Sequence, residues 1–87
     1  MSAEEIWQNG VITGKTYEFD IKTSVGDKLT SARELVGMKQ TELAEITGIY
    51  QADISKIERG LANPSLLTLK RLADGMGMKL NIEFIAK

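Results

Sequence analysis

The sequence predicts an all-α domain followed by one short β-strand. Apolar residues recur at helical spacing between residues 17 and 75, and glycines end the successive helical segments. From Met78 to Phe84, apolar and polar residues alternate instead, which is typical of a strand. A chain of 87 residues can form one hydrophobic core with an arm attached to it.

The first two predicted helices are separated by a glycine. The first lies within residues 17–36 and is weakened by Gly26, since glycine in a helix costs about 1 kcal/mol relative to alanine. Gly37 ends it. The second helix is predicted at Gln40–Thr47 and ends at Gly48.

Two further helices follow in the second half of the sequence. The third is predicted over residues 51–59 and ends at Gly60. The fourth is predicted at Leu66–Gly75, with Ser65 placed to cap its first turn.

The two ends of the chain are expected to serve contacts with other molecules. Residues 1–16 lack a sustained periodicity and are predicted to be an arm that binds a partner, before a domain at residues 17–78. Residues 79–87 carry the strand, which is not stable alone. Its nearest pairing partner is the same strand of a second subunit, so the candidate dimer contacts are Leu80, Ile82 and Phe84.

Composition argues against catalysis and against a membrane protein. The chain has no histidine and no cysteine, which removes the commonest general base, the commonest metal ligand and any disulfide. No glycine-rich phosphate loop is present, so we expect no enzyme and no cofactor. No long apolar run or signal peptide is evident, and we expect a cytoplasmic protein.

The charge distribution limits how the chain can bind nucleic acid. The net charge is −1, and residues 29–71 hold six Lys/Arg against five Asp/Glu. Any DNA site must therefore be a local patch supported by base contacts and backbone amides.

Residues 39–60 have the features of a helix-turn-helix. Ala44 is small where a crossing helix needs close approach, and Gly48 supplies the positive φ of a tight turn. Ile54 and Ile57 form an apolar stripe on the next helix, facing the core. A generic helical hairpin is the alternative, but the combined spacing favours a helix-turn-helix whose second helix enters the major groove.

With these residues, positions 29–75 resemble the lambda-repressor/Cro-like (XRE) helix-turn-helix family. The resemblance implies a lambda-repressor-like bundle of four to five helices, with residues 51–59 as the recognition helix. It also implies an ion pair between Arg33 and Glu58. The matching residues are Gln40, Leu43, Ala44, Gly48, Gln51, Ile54, Ser55, Ile57, Glu58, Gly60, Asn63 and Pro64.

The recognition helix carries side chains suited to reading bases. Gln51 can hydrogen-bond N6 and N7 of adenine, and Ala52 can offer a methyl group to thymine. Ser55 can contact several bases, and Lys56 can bind guanine or phosphate.

A second set of residues is expected to contact phosphate. In the family, a glutamine in the place of Gln40 contacts phosphate and braces the reading glutamine. For each residue of this set, a solvated surface position is the alternative. The set comprises Lys39, Gln40, Thr41, Tyr50, Arg59 and Asn63.

The recognition helix departs from the family pattern at its start. Tyr50 stands where the family usually has a capping Ser or Thr. Asp53 can partly compensate by accepting a hydrogen bond from the cap amide, but it also brings negative charge near phosphate.

The C-terminal part contains Asn63-Pro64-Ser65-Leu66, Thr68-Leu69, Arg71-Leu72-Ala73 and the segment from Gly77 to Phe84. With these residues it is similar to HigA-type antitoxins, which join a repressor-like domain to a terminal strand. This resemblance implies a homodimer that represses its own operon and neutralises a basic, RelE/HigB-like ribonuclease toxin. The alternatives are a stand-alone phage-like or metabolic repressor and a protein-interaction module without DNA. The candidate toxin contacts are Glu4, Glu5 and Trp7 in the arm and Glu18 just after it, although Trp7 could instead fold back on the domain.

Overall fold

The computed structural model describes residues 21–87 and forms four α-helices in that part of the chain. They are α1 (Ile21–Leu35), α2 (Gln40–Thr47), α3 (Gln51–Glu58) and α4 (Leu66–Gly75). The all-helical prediction is confirmed, with the bounds of α2 and α4 as expected and α3 one residue shorter. Between residues 21 and 87, no helix is long and apolar enough to cross a membrane.

Local signals set the ends of the short helices. Gly48 adopts φ 76°, and its amide donates to the Ala44 carbonyl at 2.9 Å, which closes α2 in the left-handed conformation that glycine favours. The Ser65 hydroxyl accepts a hydrogen bond from the Thr68 amide at 3.1 Å and caps α4. Both features were predicted from the sequence.

The core lies where the four helices meet. Leu43, Ile54 and Leu72 are the fully buried large side chains, one from each of α2, α3 and α4. Leu29 of α1 and Ile57 of α3 complete the contact between the first and third helices. Because Ile54 and Ile57 both point inward, the opposite side of α3 faces solvent.

Gly26 allows α1 and α3 to approach closely. It is buried within α1, which runs through it without a break. A β-carbon at this position would lie 2.7 Å from the Glu58 carbonyl oxygen and still closer to that of Ile57. The glycine that costs helix propensity is therefore required by the packing of α3 on α1.

α4 holds the end of α2 in place. The Arg71 guanidinium donates to the Thr47 carbonyl at 2.6 Å, where α2 has an unpaired carbonyl group. Its positive charge also lies at the negative end of the α2 dipole. Gly75 permits close packing against Thr47 on the same side.

The predicted C-terminal strand is not formed in the described part of the chain. Residues 78–87 form neither helix nor strand, so Leu80, Ile82 and Phe84 lie in no sheet. All three are exposed, Phe84 completely. The physical reason is that residues 21–77 are helices and turns and offer no adjacent strand for this segment to pair with.

The predicted arm at residues 1–16 lies outside the described residues. The same holds for the four candidate toxin contacts, Glu4, Glu5, Trp7 and Glu18, and for the part of the first predicted helix before Ile21.

Candidate nucleic-acid interface

The solvent-facing side of α3 carries the predicted base-reading residues. Gln51, Ala52, Ser55 and Lys56 recur at helical spacing, opposite the buried Ile54 and Ile57. All are exposed except Ser55, which is partly exposed. The structure therefore brings these four side chains together on one accessible surface, which is called the α3 face below.

Residues predicted to contact phosphate flank the α3 face on two sides. Lys39 and Thr41 are exposed at the start of α2, and Asn63 is exposed in the loop before α4. Arg59 lies just after α3, where its Nε donates to the Ser55 carbonyl at 3.4 Å. This arrangement places cationic and polar groups beside the α3 face, where DNA phosphates would lie if that face entered the major groove.

A cleft of about 410 Å³ separates the helix-turn-helix from the loop before α4. Asp53 and Lys56 of α3 line it together with Tyr50 just before that helix, and Asn63 and Arg71 line it from the opposite side. Tyr50 has the backbone conformation of an N-cap but makes no capping hydrogen bond through its side chain.

Asp53 does not provide the compensation predicted for Tyr50. Within the described residues, its carboxylate accepts no hydrogen bond from the cap amide. A bond of that type occurs at α2 instead, where the Lys39 amide donates to Glu42 Oε1 at 2.7 Å. Asp53 is exposed at the first turn of α3, where the positive end of the helix dipole stabilises its negative charge.

A hydrogen-bonded ion pair ties α3 to α1. Arg33 Nε donates to Glu58 Oε2 at 2.7 Å, and Arg33 Nη2 donates to Glu58 Oε1 at 2.9 Å. This bidentate geometry is the strong form of a guanidinium–carboxylate contact. Arg33 Nη1 also donates to the Met38 carbonyl at 2.9 Å, so the pair anchors the loop that leads into α2.

The surroundings of Glu58 hold it in its charged form. Burial raises the pKa of the Glu58 carboxyl, but hydrogen bonds from Arg33, Gln40 and Thr30 and the Arg33 charge outweigh burial and bring the pKa below its ordinary value. The hydrogen bond to Glu58 raises the pKa of Arg33. The side chains are 13% and 6% exposed for Arg33 and Glu58, so this pair is shielded from solvent.

Gln40 joins this ion pair to the α3 face. Its Nε2 donates to Glu58 Oε1 at 3.0 Å, and its Oε1 accepts from Gln51 Nε2 at 3.4 Å. The structure thus brings together the two glutamines and the two charged residues that the sequence singled out separately.

Sequence reasoning missed three contacts that shape this surface. They are the Arg71–Thr47 contact, the Glu42 bond to the start of α2, and the close approach at Gly26. The glutamate three residues after Lys39 was a local signal for the second contact. The other two join distant positions, and no local pattern marks them.

Comparisons with known proteins identify the same region. The family model HTH_3, described as helix-turn-helix, matches residues 29–82, which is more than half of the chain. A comparison with curated proteins finds no significant match.

Two solved structures resemble the fold. The restriction-modification controller protein C.AhdI from Aeromonas hydrophila is 26% identical with a TM-score of 0.67, over 70% of this chain and 92% of that one. An HTH_3 family transcriptional regulator from Vibrio cholerae is 29% identical with a TM-score of 0.66, over 69% of this chain. The match spans 35% of the Vibrio protein, so that regulator contains much that this alignment does not cover.

The family match and the two TM-scores support the helix-turn-helix fold described above. They also confirm the prediction that the chain is not an enzyme, since this is a family of DNA-binding regulators. The chain belongs to the HTH_3 helix-turn-helix family of DNA-binding transcriptional regulators.

Proposed function

We propose that the chain is a sequence-specific DNA-binding antitoxin that represses its own operon and neutralises a RelE/HigB-like ribonuclease toxin. The observation that carries the DNA-binding half is the α3 face, where polar side chains lie opposite the buried Ile54 and Ile57. Such a helix presents hydrogen-bonding groups outward and is held rigidly from behind, as base reading in the major groove requires.

Each residue of the α3 face has a defined role in this proposal. Gln51, at the start of α3, reads adenine through its amide, and Ala52 contacts a thymine methyl group. Ser55 and Lys56, one turn further on, extend the readout along the groove. The flanking residues position the helix by contacting phosphates; they are Lys39, Gln40, Thr41, Tyr50, Arg59 and Asn63.

The test begins with selection of bound sequences from a random duplex library. Gln51→Ala is expected to lower affinity for the selected site about tenfold or more and to leave the unfolding temperature nearly unchanged. Lys56→Ala should also weaken binding, whereas the matched control Lys70→Ala, on the exposed side of α4, should not. A large loss of stability in Gln51→Ala would mean that Gln51 is structural.

A second copy of the chain is the proposed partner of the C-terminal segment. Residues 78–82 line an apolar groove of about 650 Å³ together with α1 and α4, and Leu80 and Ile82 are among its lining residues. Phe84, next in the alternating pattern, is fully exposed. Pairing of two such segments would cover this apolar groove and satisfy the backbone groups of both segments.

Sedimentation equilibrium tests the dimer. The wild-type chain is expected to sediment as a dimer and Leu80→Glu as a monomer, while Leu35→Glu, an equally drastic change at an exposed leucine, should remain dimeric. On DNA, a dimer should protect half-sites about 10 base pairs apart or a multiple of that. A monomeric wild-type chain that protects a single half-site would contradict this part of the proposal.

The antitoxin half of the proposal rests on the resemblance drawn above from the C-terminal sequence and on charge. The sequence pI is about 5.4, and residues 1–28 hold five Asp/Glu against three Lys/Arg, which suits a basic partner. Glu4, Glu5, Trp7 and Glu18 are the proposed toxin contacts. Similarity to a restriction-modification controller favours the alternative, a stand-alone transcriptional repressor.

Purification from the native host, followed by mass spectrometry, distinguishes an antitoxin from a stand-alone repressor. The antitoxin proposal predicts a small basic ribonuclease that co-purifies with the chain, and deletion of residues 1–16 should abolish neutralisation and spare DNA binding. If the chain binds its DNA site but co-purifies with no ribonuclease, the stand-alone repressor is the correct function.

A further inference from the structure

Arg71 of α4 contacts the turn of the helix-turn-helix and also lines the cleft beside the α3 face. Its Nη2 donates to the Thr47 carbonyl at 2.6 Å, and a β-carbon added at Gly48 would lie 3.4 Å from the same nitrogen. The Arg71 side chain is nevertheless exposed. It shares the cleft with Lys56, which also belongs to the α3 face. One guanidinium therefore reaches both the turn and the edge of the proposed DNA-binding surface.

The turn holds this guanidinium at a defined place relative to α3. The Thr47 hydroxyl donates to the Leu43 carbonyl at 2.7 Å and accepts from the Ile49 amide at 3.2 Å. These bonds fix the backbone that carries the Thr47 carbonyl, and α3 begins shortly after it, at Gln51. Because Arg71 is bonded to that backbone, any group bound to its guanidinium lies at a set distance from the start of α3.

The charges of the cleft favour an anion. Beyond its bond to Thr47, the Arg71 guanidinium makes no hydrogen bond or ion pair within residues 21–87, so most of its N–H groups remain available. The Lys56 ammonium forms no ion pair in that part of the chain either. Asp53 brings one negative charge to the cleft, which leaves the two cations in excess. The planar fork of a guanidinium matches the oxygens of a phosphate, which it can bind through two parallel hydrogen bonds.

We propose that Arg71 binds a phosphate of the DNA backbone in this cleft while it holds the Thr47 carbonyl, so that one backbone contact sets the position of α3 in the groove. The inference rests on the proposed function in one respect, that the α3 face enters the major groove. Arg71 thereby adds to the phosphate-contacting residues one that lies on α4, in the helix behind the turn.

The two contacts of Arg71 form a short and rigid connection between the phosphate and the recognition helix. The bond to Thr47 already restricts the arginine side chain in the free protein, which reduces the entropy lost when the phosphate binds. A phosphate contact carries no sequence information, so Arg71 strengthens binding to every duplex that α3 enters. It determines where Gln51 and Ser55 lie along the groove and leaves their base preferences unchanged.

The salt dependence of binding tests this proposal. Affinity for the duplex that the wild type selects is measured by fluorescence anisotropy at several salt concentrations. Each neutralised phosphate adds about one to the slope of log affinity against log salt, so Arg71→Met should bind about tenfold more weakly and with a slope smaller by about one. Lys70→Met is the matched control, since it removes the same charge from the neighbouring residue, which is exposed and bonded to Asp74. It should match the wild type in affinity and in slope.

Duplexes in which single phosphates are replaced by neutral methylphosphonates identify the phosphate. At one position, this replacement should weaken binding of the wild type several-fold and leave binding of Arg71→Met unchanged, because the variant has already lost that contact. The ratio of affinities for the selected duplex and for base-substituted duplexes should be the same in both proteins.

A weaker affinity with an unchanged salt slope would overturn the proposal, because Arg71 would then only support the turn. The proposal is also wrong if no phosphate replacement affects the wild type while sparing Arg71→Met. Should circular dichroism show Arg71→Met to be unfolded, Arg71→Gln is measured by the same criteria, since it removes the charge but keeps an N–H donor.

Failure of the proposed function has a different signature. A wild-type chain that selects no sequence would refute the proposed function and the role of Arg71 together. If Gln51→Ala loses its preference but Arg71→Met keeps the wild-type slope, only the role of Arg71 is refuted.

Discussion

Replacement of Gly26 by alanine tests how closely the recognition helix must pack on α1. The added β-carbon would lie 2.7 Å from the Glu58 carbonyl oxygen and closer still to the Ile57 carbonyl oxygen. Optimal contacts between such atoms are about 3.5 Å, so α1 and α3 would have to separate by roughly an ångström. Both opposing atoms belong to the backbone, which cannot move aside as a flexible side chain can.

Two opposing effects determine how much the free energy of unfolding decreases in Gly26→Ala. Overpacking of this kind costs about 1–3 kcal/mol, and the rigid neighbours place Gly26→Ala at the upper end. Against this cost, alanine stabilises the helix by about 1 kcal/mol relative to glycine because of its higher helix propensity. The free energy of unfolding should therefore fall by about 2 kcal/mol, which lowers Tm by about 8–16 °C in a domain of this size.

Thermal and urea denaturation followed by circular dichroism measure this loss. Gly37→Ala is the matched control, because Gly37 has φ +74° but nothing within 4 Å of the added carbon. Gly37→Ala should therefore destabilise the protein only through its left-handed backbone conformation, by about 1 kcal/mol. If Gly26→Ala is as stable as the wild type or more so, helix propensity outweighs packing and the close approach of α1 and α3 is not a requirement of the fold.

Three further predictions concern the elements that hold the interface in place. Ser65→Ala should lower the free energy of unfolding by about 1 kcal/mol through loss of the α4 cap, and an unchanged urea midpoint would show that the cap contributes nothing. Leu43→Ala should lower it by about 2–5 kcal/mol because Leu43 is fully buried, and a loss under 1 kcal/mol would argue against the core described above. Because the pKa of Glu58 is lower in the folded chain, the unfolded chain takes up the proton first, and stability should fall as the pH drops through 4.5 and below. In Glu58→Gln the protein should be less stable at neutral pH, and its stability should depend less on pH over that range; an identical slope would contradict this assignment.

The helices could be predicted from the sequence because their signals are local. Gly48 and Ser65 mark helix ends by their own conformational and hydrogen-bonding preferences, and both act as expected. The apolar spacing of Ile54 and Ile57 likewise identifies the buried side of α3, and therefore the side that faces outward.

Features that depend on distant positions could not be predicted in the same way. The role of Gly26 depends on the carbonyl groups of α3, more than thirty residues away in the sequence, and Arg71 reaches Thr47 from another helix. The resemblance supplied the residues of the Arg33–Glu58 pair, but only the structure shows that Gln40 joins this pair to Gln51. The alternation from Met78 to Phe84 indicates a strand, yet strand formation depends on an adjacent strand, and none lies between residues 21 and 87.

An NMR titration of the chain with its selected duplex tests the central claim most directly. Backbone amide shifts should concentrate on the α3 face and at the start of α2, around Gln51, Ser55, Lys56 and Gln40. Residues of the apolar groove, such as Leu69 and Met78, should shift little or not at all. Shifts centred on the groove, with the α3 face unaffected, would contradict the account of α3 as the helix that reads DNA.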